Sequence, residues 1–422
     1  MPAESRLWYR RPGSDGGPCG AARARGEDEV GIERTVLTLN RVAHLGGVER
    51  VIVDAARAVS RRGFRPVLAC PTPGLLADEM ARHGLRVRPA PVARGKATLS
   101  PLGIARAVAA FRRGGEAIGR IAREEGAVLL HAHHPVGAVQ ALAAAAAGTP
   151  LLLHVHETLP MPPLYALLAR RVRARCAMWV CVSEASRAMV RALGVPEGRI
   201  RLLYNGVGPA FMAEAPPPAA ELHRPGPHVG IFGVIEPRKG HAQFIRALAS
   251  LAEEFPRAQG WVVGAPGFAE GAAHLDALRR LAGEAGLGER VHFLGHRGDV
   301  AALMAGMDAV VLASTGFESL PTVLIEACAL GRPAVATAVG GVREIVRDGE
   351  TGLVVPPGDV PALARAIRAA LSPAGAALGA RARADARRRF APDRFGDGLA
   401  ACYRELVEAG EADRVSGPRR AA

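Results

Sequence analysis

Lysine is nearly missing from this chain: Lys96 and Lys239 are the only two among 54 basic residues, so 52 are arginines. Aromatic side chains are scarce too, at 4%. With so few stacking platforms and no nucleic-acid motif, the basic excess does not point to DNA or RNA. Six cysteines (Cys19, Cys70, Cys176, Cys181, Cys328, Cys402) lack paired metal spacing and lie mostly in apolar runs, as reduced, buried thiols of a cytosolic protein would. The polar N-terminus does not read as a secretory signal. The longest apolar stretch, Val136 to Val155 apart from His154, is interrupted by Gly148-Thr149-Pro150 and reads as a helix and a buried strand rather than a membrane span.

At 422 residues, the chain is too long for one ordinary core, and two domains are expected. Hydrophobic content of 49% beside 22% charge is that of a globular protein. The net charge of +14 is uneven: residues 1–200 hold 29 basic and 16 acidic residues, residues 201–422 hold 25 and 24. A negatively charged surface or substrate is therefore expected on the N-terminal side. An anionic membrane face or a phosphate-bearing lipid acceptor suits it.

Residues 1–33 read as a flexible tail without apolar periodicity. From Thr35, short apolar strands alternate with helices, lapse in a Pro-rich stretch, and resume at His228. Such alternation predicts an α/β protein with two doubly wound, Rossmann-like parallel-sheet domains facing across a cleft. The expected boundaries are 34–206 for the first domain, 207–227 for the linker and 228–390 for the second domain. A helix over 391–410 is expected to pack back on the first domain, with a tail over 411–422.

Several patterns carry chemistry. Gly46-Gly47 follows the first strand; it reads either as a tight turn or as a place where amide groups meet an anion at a helix start. The dinucleotide pattern G-x-G-x-x-G is absent there, which argues against an NAD site. His131-Ala132-His133-His134 and His154-Val155-His156-Glu157 each close a strand. They read as hydrogen-bonded structural histidines or, in the less favoured alternative, as a shared metal site. His156, followed by Glu157 at the cleft mouth, is the candidate to bond a sugar or shuttle a proton. Lys239, in a chain that otherwise uses Arg, suggests a compact point charge for a diphosphate; a plain surface lysine is the alternative. The stretch Ala313–Gly358 predicts strand, loop, a helix opening near Pro321 and ending at Gly331, and another strand. Glu318 and Glu326 bracket the helix start, where free amides suit phosphate and carboxylates suit sugar hydroxyls. Pro162–Cys176 and the basic run Arg82–Lys96 read equally as membrane-facing or as ordinary helix and surface.

With these residues in view, the chain resembles a retaining family 4 glycosyltransferase of the GT-B fold. The likeness rests on Lys239-Gly240 after a strand, Glu318-Ser-Leu-Pro-Thr-Val-Leu-Ile-Glu326 with its E-x7-E spacing, Gly340-Gly341-Val-Arg-Glu344, and Asp348 to Gly358. Gly46-Gly47, His156 and Asn205-Gly206 extend it into the first half. The resemblance implies a metal-independent hexosyltransferase with no cofactor beyond its co-substrate, a nucleotide-diphosphate sugar. It implies that Glu318 contacts the donor sugar and Glu326 the ribose. Lys239, helped by Gly46, Gly47 and the start of the helix at Leu320, Pro321, Thr322 and Val323, would hold the diphosphate. His156 would stand beside donor and acceptor. Where the family usually has an Arg after the glycine ending the first strand of the second domain, this chain has Val234; Arg238 is the neighbouring cation. The expected acceptor is a saccharide or lipid-linked hydroxyl in cell-surface polysaccharide or glycolipid assembly, handled in the cytoplasm at the inner membrane face. A catalytically silent GT-B scaffold, or a nucleotide-sugar 2-epimerase, is the alternative.

Overall fold

A computed structural model of the chain describes residues 34–92, 100–145, 148–157, 170–212, 216–267 and 269–416. The first half carries β1 (Arg34–Leu39), β2 (Phe64–Cys70), β3 (Arg86–Pro89), β4 (Leu129–Ala132), β5 (Leu151–Val155), β6 (Met178–Cys181) and β7 (Ile200–Leu202). The second carries β8 (His228–Phe232), β9 (Gln259–Val263), β10 (Val291–Gly295), β11 (Ala309–Leu312), β12 (Ala334–Thr337) and β13 (Leu353–Val355). Every pairing is parallel, in the orders β3-β2-β1-β4-β5-β6-β7 and β10-β9-β8-β11-β12-β13. Each sheet is thus wound both ways from a central pair, β1/β4 and β8/β11. The crevice beyond the carboxyl ends of such a pair is where open α/β sheets bind ligands.

The strands read as unbroken apolar runs because helices cover both faces. All residues of β4, β5, β6, β8, β9, β11 and β12 are buried. Over the first sheet, Val51, Ala55 and Val59 of the helix Gly47–Ser60 meet Phe395, Leu399, Tyr403 and Leu406 of the terminal helix Pro392–Ser416. The terminal helix runs past the expected start of the tail at 411: residues 411–416 stay helical, and Glu411 pairs with Arg34 at 3.4 Å. Ending the helix at 410 overlooked this long-range partner.

The Pro-rich stretch is not a loose tether. It holds a helical turn, Pro209–Met212, and a 3-10 turn, Ala220–His223, and buries Val207, Phe211, Ala219 and Leu222 against the second half. The chain crosses between halves twice, and the crossings touch: Val207 N–H donates to the Phe390 carbonyl at 2.9 Å. A polar tie stands nearby. Glu344 of the second half accepts from the N–H groups of Glu184 (2.7 Å) and Ala185 (3.0 Å), at the start of the helix Glu184–Ala192, and from the Tyr204 hydroxyl (3.1 Å). It complements the positive end of that helix from the opposite half.

Where it is described, the arginines of the basic run Arg82–Lys96 are paired with carboxylates. Arg86 and Arg88 join Arg65 around the buried carboxylate of Glu125, and Arg82 pairs with Glu79. Residues 93–99 and 158–169 lie outside the described set, and with them most of Pro162–Cys176; residues 1–33, including Cys19, do as well. The other five cysteines are buried and unpaired with one another. Among the described residues no helix is long and apolar enough to cross a membrane.

Candidate functional site

The loops after β8 and β11 converge on one carboxylate. Pro237–Lys239 forms a single 3-10 turn, and Gly240 exits it at φ 75°, pressed against the Ala313 carbonyl where a Cβ would collide. That close approach, open only to glycine, sets the two loops side by side. Thr315 N–H then bonds the Arg238 carbonyl at 2.8 Å. The buried side chain of Glu318 receives three donors on Oε1: Lys239 Nζ at 2.7 Å, Ser314 Oγ at 2.8 Å and Arg238 at 3.3 Å. Arg238 is half-exposed and also bonds Glu236 at 2.9 Å. Arg238, four residues beyond Val234, thus brings a guanidinium to this cluster. Behind the loop, Gly340 (φ 51°) and Gly341 lie against the backbone of Glu318 and Ser319, and Gly341 N–H bonds the Glu318 carbonyl at 2.8 Å.

The helix Thr322–Ala329 begins just beyond, with Pro321 at its N-cap and no side chain capping it. Leu320 and Pro321 are buried; Thr322 and Val323 are partly covered. The uncapped first turn keeps amides and a positive dipole end available to an anion. Gly47 of the first half stands opposite, with Thr322 Oγ1 3.7 Å from where a Cβ on Gly47 would be. Gly46, by contrast, donates its N–H to the buried carboxylate of Glu49 at 3.0 Å, and Asn40 bonds the other oxygen at 3.3 Å. The loop's shape is held by Glu49, and Gly46's amide is already engaged.

Gly47, Arg50, Asp54, Gly208, Thr322 and Glu326 line a cavity between the halves. Burial pushes the Glu326 carboxyl up to about 7 despite the Arg50 charge, and pushes Asp54 up to about 6 against Arg57 and Arg50. Here a first-half and a second-half carboxyl share one recess that is hard to ionise.

The histidines form a stack at the ends of β4 and β5. His133 Nδ1 and His156 Nε2 lie 3.0 Å apart, and His131 Nδ1 lies 2.6 Å from the Tyr403 hydroxyl. The rings of His131 and His133, and of His154 and His156, have centroids 4.0 and 4.1 Å apart. Burial drives the pKa of His131 and of His156 down to about 3, and those of His133 and His154 well below the usual value. His156 is therefore neutral at physiological pH and suited to hydrogen bonding; the proton-shuttle reading does not fit its environment. His131, His133 and His154 bring ligand atoms within 4.8 Å of one another and could, by geometry, take one metal ion.

Sequence reasoning did not single out Ser314, Asp54, Glu49 or the tie at Glu344. Glu344 stands within a quoted motif but without a role there, and the others matter through a partner distant in the chain or through the fold of their loops.

Two family models match, one described as "Glycosyltransferase Family 4" over residues 45–211 and one as "Glycosyl transferases group 1" over residues 226–373. A D-inositol 3-phosphate glycosyltransferase of Mycobacterium marinum is 33% identical over 325 residues, covering 72% of this chain and 63% of the relative. A phosphatidyl-myo-inositol mannosyltransferase of Mycobacterium leprae is 37% identical over 196 residues, 46% of this chain and 49% of the relative. The match thus spans less than two thirds of these relatives' own length. Among solved structures, the Anabaena protein HepE in complex with UDP-glucose superposes with a TM-score of 0.74 at 24% identity, over 88% of this chain and 99% of that one.

Proposed function

The chain belongs to the family 4 glycosyltransferases of the GT-B fold, and from that premise we propose that it moves a sugar from a nucleotide-diphosphate donor to a hydroxyl, with retention of configuration. The observation that carries the reading is the convergence of Lys239, Arg238 and Ser314 on Glu318, one loop away from an uncapped helix start. Lys239 would turn from Glu318 to the arriving diphosphate, whose negative charge exceeds that of one carboxylate. Glu318, freed on that side, would accept hydrogen bonds from the donor sugar. The amides at Thr322 and Val323 and at Gly47 would complete the anion cradle. Glu326 would hold the ribose hydroxyls, and neutral His156 would bond the donor or acceptor sugar. No carboxylate stands out as a nucleophile, so attack on the same face, guided by the leaving phosphate, is the favoured route. Bringing the halves together would exclude water that otherwise hydrolyses the donor.

The basic first half supports an acceptor that is anionic or lipid-linked, presented at a membrane. Release of nucleoside diphosphate from UDP-, GDP- and ADP-sugars tests the reading and names the base. Glu318→Ala should abolish transfer, a loss of roughly a thousandfold or more; full activity in that variant would sink the assignment. A donor that binds without turnover would instead favour the silent scaffold, and interconversion of the free donor would favour the epimerase. The approach of Arg238 to Glu318 speaks against the scaffold, since it brings to the cluster a guanidinium that could stand in for the one missing at Val234.

A further inference from the structure

The helix Pro101–Glu124 consists of two unlike pieces. From Gly114 onward it is part of the core: Ala117, Ile118, Ile121 and Ala122 are buried, and a Cβ on Gly114 would collide with Gln140 of the helix Pro135–Ala145 and lie 2.9 Å from the Pro91 carbonyl. Before Gly114, no residue from 102 to 113 is buried. Leu102 is 61% exposed, Val108 54% and Ile104 39%; they are three of the four large apolar side chains left exposed among the described residues. Arg106, Arg112 and Arg113 are exposed on the same turns and join no ion pair among the described residues. No aspartate or glutamate occurs from residue 80 through 115.

We propose that residues 101–113 dock the chain on an anionic lipid bilayer, which would hold the first half at the surface where a lipid-linked acceptor is presented. The proposal extends the membrane reading of the basic half and does not depend on the sugar-transfer chemistry. Helical spacing orders the surface. Ile104, Val108 and Arg112 form one row four residues apart, and Leu102, Arg106 and Arg113 lie together on another. In both rows the aliphatic side chain stands nearer the start of the helix and arginine nearer the part packed in the core. A bilayer has the same layering, with hydrocarbon beneath a sheet of anionic headgroups, and arginine stems can reach back to the headgroups while aliphatics enter. These turns are exposed along their length, and a deformable interface meets such a surface without a shape-matched groove. A shallow patch with three uncompensated charges suffices for reversible attachment.

Cosedimentation of the full chain with phosphatidylcholine vesicles, and with vesicles containing phosphatidylglycerol, tests this. Binding is expected only to the anionic vesicles and should weaken with salt. Leu102→Asp with Val108→Asp, and separately Arg106→Gln with Arg112→Gln and Arg113→Gln, should each weaken it about tenfold or more. Arg246→Gln with Arg280→Gln, exposed in the second half, should leave it unchanged. Unaltered melting temperatures would show that the variants fold, and unaltered nucleoside diphosphate release would separate docking from chemistry. Absence of binding to anionic vesicles, or binding indifferent to both site variants, overturns the proposal; in the first case an acidic protein partner becomes the better occupant of these turns.

Discussion

The two sheets share one winding and differ in what stands at their centres. Beside β8 and β11 the groups are charged and matched, with three donors on a single oxygen of Glu318. Beside β4 and β5 they are neutral and only partly matched: His131 Nε2, His133 Nε2 and both nitrogens of His154 are buried without a partner among the described residues. A charged cluster needs a partner of opposite charge before it is taken from water, and it exchanges that partner readily for a better one. A neutral, desolvated cluster waits for a hydrogen-bonding group and resists protonation. The contrast suits a division in which the second half meets the phosphates and the first meets hydroxyls.

The contrast can be broken most directly at Lys239. Lys239→Ala should lower kcat/KM about a hundredfold or more by removing charge from the leaving diphosphate; steady-state turnover with a saturating acceptor checks it. The neutral side is tested by pH. His131 and His156 titrate near 3 in the fold and near 6.5 when unfolded, so the stability they contribute is present above 6.5 and is lost as pH falls toward 3. Each such residue should lose about 2 kcal/mol between pH 7 and pH 5. Melting temperature should drop steeply over that window, and His131→Gln should flatten the slope. Asp54 and Glu326 act with the opposite sign: their raised pKa values stabilise the fold at low pH, an effect lost as pH rises through about 6 and 7. Asp54→Asn should therefore steepen the net loss on acidification.

A smaller effect separates Arg238 from Val234. Arg238→Ala should reduce turnover about tenfold, and Val234→Arg should restore part of that loss while adding little to the parent chain. Additive effects would mean that the two positions serve different ends. The smallest effect is expected at Glu344→Gln, which removes one charge-assisted tie between the halves. A cost of about 1 kcal/mol should appear as a raised KM for the donor with kcat nearly unchanged.

Much of the fold was legible because its signals are local. Apolar runs such as LLLHV and AVVL, separated by glycine and proline, announce buried parallel strands. At the site, Lys239 and Glu318 stood out by rarity and spacing. The contacts that finish it did not, because register between distant elements decides them. Asp54 looks like any surface carboxylate on the helix Gly47–Ser60 until that helix faces Glu326. Gly46 reads as a free amide until Glu49 turns back on it. The last turn of the terminal helix reads as tail because its partner, Arg34, lies at the opposite end of the described chain.

The hydrogen bond from Val207 to Phe390 has a mechanical meaning. A single connecting strand would let the two lobes swivel in any direction, as on a ball joint. Two strands lying side by side and bonded together allow bending across their common line and oppose twisting around it. Lengthening one by a residue without the other would shear that bond and skew any swing of the halves, which the paired crossing would confine to one arc.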